Sequence, residues 1–157
     1  MEVLTVVGTS IHRVEAIEKV TGKALYGTDV KIQGMLHGKV LRSPLPHAKI
    51  LNVDARRAER LPGVKMVVTG KDLMARYGTC VQDQPYYCFD KVRYIGDPVA
   101  GVAAIDSDIA EEALELIKVD YEELPPVLDP LEAMEPGAPL VHEDLENYWH
   151  GPHYFPV

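Results

Sequence analysis

The sequence predicts an α+β domain, and three observations carry that prediction. Two segments, His37 to Arg42 and Ala48 to Val53, alternate in polarity at the two-residue period of half-buried strands. An unbroken run of small and apolar residues, Pro98 to Ile105, suits a strand covered on both faces. After it, Asp108 with Glu111 three positions on resembles a capping box, and Ile109, Ala113, Leu116 and Ile117, or alternatively Ala110, Leu114 and Ile117, form the stripe of an amphipathic helix.

The elements follow in order. Residues 1–20 show little strand alternation and carry Arg13, Glu15, Glu18 and Lys19, so they read as a leading segment that lies across a neighbour. Gly22 and Gly27 bracket a short stretch that reads as turn, strand start and turn. The first alternating strand places Val40 and Arg42 on one face and Lys39 and Leu41 on the other, and Ser43-Pro44-Leu45-Pro46-His47 joins it to the second as an extended linker, because the prolines forbid a helix. Asp54 is positioned to cap a two-turn helix, stopped by Pro62-Gly63, whose Ala58 and Leu61 face the sheet. Val64 to Thr69 is a β-branched run expected to be largely buried, and residues 76–91, with Gly78, Pro85 and three tyrosines, read as a long loop of the kind that often carries function. A turn at Gly96-Asp97 leads into the apolar strand, and Lys118 to Glu123 forms a last strand ended by Leu124-Pro125-Pro126. Residues 125–157 form a Pro-rich extended arm in which Asp129 to Met134 makes one helical turn.

A chain of 157 residues buries roughly 70% of its unfolded surface, so it needs neither disulfides nor a structural metal to fold. A formal charge of −8 disfavours nucleic acid and anionic membranes as partners, and no apolar run reaches the roughly 20 residues that span a bilayer. A soluble, cytoplasmic protein is expected. Cys80 and Cys88 read as reduced thiols, with a local disulfide or a metal pair as alternatives, and two thiols fall short of the four that hold an iron-sulfur cluster. A small hydrolase is excluded by the lack of a nucleophile motif such as GxSxG.

Several words occur in one order: Glu18-Lys19-Val20-Thr21-Gly22-Lys23-Ala24-x-Tyr26, Arg42-Ser43-Pro44-x-Pro46-His47-Ala48-x-Ile50, Leu61-Pro62-Gly63-Val64, Val67-x-Thr69-Gly70-x-Asp72-Leu73, Val92-Arg93-Tyr94-Ile95-Gly96-Asp97-Pro98-Val99-Ala100, and Glu112-Ala113-Leu114 with Val119-x-Tyr121-Glu122-x-Leu124-Pro125. Together they resemble the N-terminal α/β hammerhead domain of the large molybdenum-binding subunit in the xanthine dehydrogenase and aldehyde oxidase family. Gln82-Asp83-Gln84 and the segment Glu135-Pro136-Gly137-Ala138-Pro139 with His142 look most like the 4-hydroxybenzoyl-CoA reductase branch. The resemblance implies a mixed, bent sheet with two main helices over residues 21–124, followed by the arm at 125–157 leading toward a molybdopterin-binding domain. It further implies a molybdopterin-type molybdenum cofactor held by the rest of the subunit, iron-sulfur clusters in a partner subunit, and FAD in a flavin subunit where one is present. The remaining large-subunit domains, the iron-sulfur subunit and the flavin subunit are the implied partners.

The motifs that hold the cofactor and the catalytic base in this family are absent from this sequence, so no catalytic, cofactor-binding or metal residue is assigned and the isolated chain is expected to be inactive. The family resemblance places the loop from Tyr77 to Asp90 over the mouth of the substrate funnel, which makes Thr79, Cys80, Val81 and Gln82 candidates for shaping substrate entry. Arg42 and His47 are candidates for an interdomain or subunit interface. The structural alternative is a His47 imidazole that bonds nearby backbone to fix the turn, and an Arg42 held in a structural ion pair. His142, His150 and His153 imitate a metal site without a shared helix face, since Gly151-Pro152 intervenes. Glu111, Glu112, Glu115, Glu122 and Glu123 read as a solvated face. The rival from another class is a free-standing, non-catalytic binding module with the same fold.

Overall fold

The computed structural model describes residues 7, 8, 10–79 and 82–143. The chain forms two compact units, Met1–Met35 and Leu36–Val157. In the first, helix α1 (Ala16–Val20) is a short segment with no buried residue, supported by a Glu15–Lys19 pair one turn apart at 3.2 Å. Val14, Ile17 and Val20 are exposed. The strand start expected between Gly22 and Gly27 does not form; a single 3-10 turn, Gly27–Asp29, follows instead, held by the Asp29 carboxylate accepting from the Tyr26 N–H at 2.9 Å.

The second unit contains β1 (His37–Arg42), β2 (Ala48–Asp54), α2 (Arg56–Glu59), β3 (Val64–Thr69), β4 (Arg76–Tyr77), β5 (Gln84–Pro85), β6 (Lys91–Val92), β7 (Pro98–Ala104), α3 (Ser107–Leu116) and β8 (Lys118–Glu123). The α+β class is as expected, and the sheet resolves into three-stranded ladders in the orders β1-β7-β3 and β6-β2-β8, plus the two-residue ladder β4-β5. All described pairings are antiparallel, so the expected mixing does not extend to strand direction.

β1 and β2 follow each other in sequence but lie in different sheets. Pro44 and Pro46 lack N–H donors and cannot close a hairpin ladder, so the linker carries the chain across. β7 is central and buried along most of its length, as an unbroken apolar run requires. β3 is an edge strand with Lys65 and Met66 exposed, which corrects the expectation that the β-branched run is largely buried. Its only ladder partner among the described residues is β7.

The helices also depart from expectation. α2 makes one turn rather than two; ahead of it the Asp54 carboxylate accepts the Arg56 backbone N–H at 3.2 Å and grips the Arg56 guanidinium at 2.6 and 2.8 Å, while the residue at the N-cap position is Ala55. Those bonds hold the Asp54 carboxyl well below the usual carboxylate range. The cap of α3 is Asp106, not Asp108: Asp106 has extended backbone and its carboxylate accepts the Asp108 N–H at 2.7 Å. α3 buries Ala110 and Ala113 against a cluster with Ala55, Ala58, Ala100, Val102, Ala104 and Ile117. Small side chains on both surfaces let helix and sheet approach closely. Ala48, Cys88, Val92 and Val99 form a second cluster, and Val53 and Val119 pack against both. In the arm, Glu132–Met134 makes the expected single turn, with Asp129 accepting the Leu131 N–H at 2.7 Å.

Candidate functional site

The segment from Arg76 to Asp97 gathers most of the chemistry-bearing side chains. The expected long loop contains a short hairpin: Arg76 pairs with Pro85 and Tyr77 with Gln84, and the Tyr77 and Tyr86 rings lie 4.8 Å apart across it. Gly78, Thr79, Gln82 and Asp83 lie toward its tip. Thr79 and Gln82 are exposed there, while Cys80 and Val81 lie outside the described residues. Below the tip, Arg76 stacks over Phe89 with 5.6 Å to the ring centre.

Arg93 organises the base of the hairpin. Its guanidinium donates to both Asp90 oxygens at 3.3 and 3.0 Å and to the Lys91 carbonyl at 3.0 Å. Burial works to raise Asp90, but the hydrogen bonds from Arg93 and from the Lys91 N–H outweigh it and leave the carboxyl below its usual range. Asp97, itself buried, accepts the Arg93 backbone N–H at 2.9 Å. Burial, with Asp97 beside it, pushes the Cys88 thiol up, so Cys88 is an inert core residue, not a nucleophile.

The two interface candidates have defined partners. Arg42 is exposed and donates to the Gly96 carbonyl at 2.8 Å, which braces the turn where Gly96 takes a φ of 95°. His47 is buried, and its Nδ1 lies 2.9 Å from the carbonyl oxygen of Pro125, a residue distant in sequence. The imidazole thus ties the linker to the start of the arm. Lys91 is buried as well, and its ammonium donates to both oxygens of Glu143 at 2.7 Å, which fastens the arm a second time.

Two cavities flank these residues. One, of about 200 Å³, is lined by Tyr77, Asp83, Gln84, Arg93, Tyr94 and His142 among others. The other, of about 290 Å³, lies between Pro46, His47, Arg93, Tyr94, Ile95 and the arm. Thr79 and Gln82 line neither. Arg93 and Tyr94, which line both, were not singled out from sequence, although Arg93 stands in the Val92-Arg93-Tyr94 word. A charge followed by an aromatic gives no sign of burial until the fold brings Asp90 and Asp97 to it.

Residues 21–125 match the family model described as aldehyde oxidase and xanthine dehydrogenase, a/b hammerhead domain. The chain belongs to this family. It is 51% identical over 128 residues to a probable xanthine dehydrogenase subunit of Bacillus subtilis (strain 168), an alignment covering 80% of this chain and 17% of that protein. It is 41% identical over 157 residues to the carbon monoxide dehydrogenase large chain of Afipia carboxidovorans, covering 97% of this chain and 19% of that one. Among solved structures, the hammerhead fold matches the Cu,Mo-CO dehydrogenase in its carbon monoxide reduced state with a TM-score of 0.81 and 43% identity, over 88% of this chain and 18% of the other. The chain thus spans less than a fifth of these relatives' length.

Among the described residues no three His, Cys, Asp or Glu converge on a metal position, and Asp90, Arg93 and Asp97 engage one another or adjacent backbone. His150 and His153 lie outside the described residues. No helix among the described residues is long and apolar enough to cross a membrane. The acidic residues of α3 and β8 are largely solvated, with Glu111 paired to Lys39 at 3.1 Å and Glu122 to Lys49 at 3.2 Å.

Proposed function

We propose that this chain is the N-terminal structural and interface domain of the large subunit of a cytoplasmic, molybdenum-dependent oxidoreductase, and that it performs no catalysis by itself. One observation carries the reading: the charged groups beneath the hairpin are consumed in a mutual lattice of Asp90, Arg93 and Asp97, which braces a framework instead of presenting a reactive constellation. The redox chemistry would be supplied by a molybdopterin-type cofactor in the remaining large-subunit domains, with iron-sulfur and flavin subunits passing electrons. The domain limits that accompany this reading are a leading segment at 1–20, the hammerhead body at 21–124 and the arm at 125–157. Pterin fluorescence and molybdenum content of the purified 157-residue chain test it. Neither should exceed background, and stoichiometric cofactor would overturn the assignment.

The hairpin tip, with Thr79, Cys80, Val81 and Gln82, is assigned the role of shaping substrate entry in the assembled enzyme. The exposure of Thr79 and Gln82, next to a hairpin that pairs Tyr77 with Gln84, supports this. Gln82→Ala in the assembled enzyme should change the ratio of rates between two substrates; an unchanged ratio would reduce the tip to plain structure. The Gln82-Asp83-Gln84 word and the Glu135 to Pro139 segment with His142 support a 4-hydroxybenzoyl-CoA reductase-like substrate, an aromatic acyl-CoA thioester. The 51% identity to a probable xanthine dehydrogenase subunit supports a second reading, a purine-type heterocycle. Assaying the assembled enzyme on both substrate types separates them.

A further inference from the structure

The arm from Pro125 to Glu143 is tied to the body of the domain near both ends and is only lightly held between them. At the near end the Leu124 N–H donates to the His47 carbonyl at 3.0 Å, and Nδ1 of His47 meets the Pro125 carbonyl at 2.9 Å. At the far end the Lys91 ammonium donates to both Glu143 oxygens at 2.7 Å. Among the described residues, every backbone hydrogen bond made by 126–143 stays inside the arm, and none of these residues is buried. Leu128, Leu131, Met134 and Leu140 are each more than half exposed. So little apolar burial fastens the arm, and a segment of that kind opens locally at small cost.

The far tie is lopsided. The Lys91 side chain is 7% exposed, and that of Glu143 is 67% exposed. Among the described residues, Glu143 supplies the one carboxylate within ion-pair distance of that ammonium. A buried ammonium without a counter-charge is strongly disfavoured, so Lys91 depends on the Glu143 carboxylate while the arm is down. If the carboxylate is lost, relief comes from lifting the arm and letting water reach the ammonium. Arg93, two residues along, has a side chain 5% exposed and lines both cavities together with Val141 of the arm. Its own ion pair is with Asp90, outside the arm.

We propose that residues 126–143 are a strap that opens and closes as a unit, with the Lys91–Glu143 pair as its clasp and the Pro125 contact as its hinge. Closed, the strap keeps water from Lys91 and Arg93; open, it uncovers two neighbouring cations. Access to them, and to the two cavities beside them, thus hangs on one exposed carboxylate.

Amine acetylation and phenylglyoxal modification of arginine, mapped by mass spectrometry on the 157-residue chain, read the two states. In the unsubstituted chain Lys91 should react well below the half-exposed Lys49, and Arg93 well below the exposed Arg57. Glu143→Gln should raise the rates at Lys91 and Arg93 together by about fivefold, the loss of one hydrogen bond, with Lys49 and Arg57 unchanged. Loss of the ion pair without lifting would make the Lys91 amine more nucleophilic and leave Arg93 as it was. Combining Lys91→Met with Glu143→Gln removes the buried charge, so the strap should stay down and Arg93 should react as slowly as in the unsubstituted chain. Amide exchange in β7 should be the same in all three chains, which shows that the domain stays folded. Four results would overturn the proposal: Lys91 and Arg93 already as reactive as Lys49 and Arg57 in the unsubstituted chain; a rise at Lys91 alone in Glu143→Gln, which makes the pair a static contact; a raised Arg93 rate that persists in the double variant; or faster exchange in β7 alongside the rise, which makes the opening global.

Discussion

The two hydrophobic clusters of the Leu36–Val157 unit differ in what is buried around them. The cluster beneath α3 is built from alanines, Val102 and Ile117, with further aliphatic residues packed against it. The cluster around Val92 and Val99 is smaller, and His47 and Lys91 immediately precede its members Ala48 and Val92 in sequence. Ser43 and Asp97 are buried close by, joined through the Ser43 N–H and the Asp97 carbonyl at 2.9 Å. The first cluster closes on itself by non-directional burial. The second is ringed by directed bonds from His47, Lys91, Asp97 and Ser43.

The largest expected effect tests the seam between them. A Cβ on Gly70, at the end of β3, would lie far inside contact distance of the Cys88 carbonyl, and backbone cannot yield as a side chain can. Gly70→Ala should therefore lower unfolding free energy by about 3 kcal/mol, read from denaturant midpoints. A loss below about 1 kcal/mol would mean that the seam is looser than described.

A matched pair on β7 sharpens the contrast. Val99 and Val102 are the same residue on one strand, packed in the second and first clusters respectively. Each truncation to alanine should cost about 2 kcal/mol. Val99→Ala alone should also move the side-chain NMR signals of His47 and Arg93. If Val102→Ala moves them equally, the two clusters are one cooperative unit and the comparison fails.

The smallest effect concerns the arm. The hydrogen bond from Lys91 holds Glu143 below its usual range, so this carboxylate contributes stability above its ordinary value of 4.5 and loses it as pH falls through the depressed value. Because Glu143 is largely exposed, the contribution is about 1 kcal/mol. Glu143→Gln should melt earlier than the unsubstituted chain at neutral pH, and the gap should close in acid. A gap that persists once the carboxylate is fully protonated would assign the difference to something other than this ion pair.

Much of the framework was legible in sequence because local pattern and burial agree. The bounds of β1, β3 and β8 match the alternating or β-branched runs, and the Asp129 carboxylate accepts the Leu131 N–H just ahead of the last turn. Errors arose where a local signal competed with a nearby equivalent: Asp106 caps α3 because it, and not Asp108, has the extended backbone that lets its carboxylate reach forward. The pairing of β1 with β7, far along the chain, has no local signal at all. Of the candidate site, Arg42 and His47 were visible through their sequence word, whereas their acceptors at Gly96 and Pro125 were not.

The sequence by itself determined the class of the domain, most strand positions, the family, and the expectation that catalysis belongs elsewhere, since each of these rests on local periodicity or on ordered words. Only the tertiary structure decided that consecutive strands enter different sheets, that Arg93 is the centre of the polar lattice, and that His47 reaches across the chain to the Pro125 carbonyl. The physical reason is that hydrogen-bond satisfaction is a property of atoms brought together across long stretches of chain, and residue order does not record it.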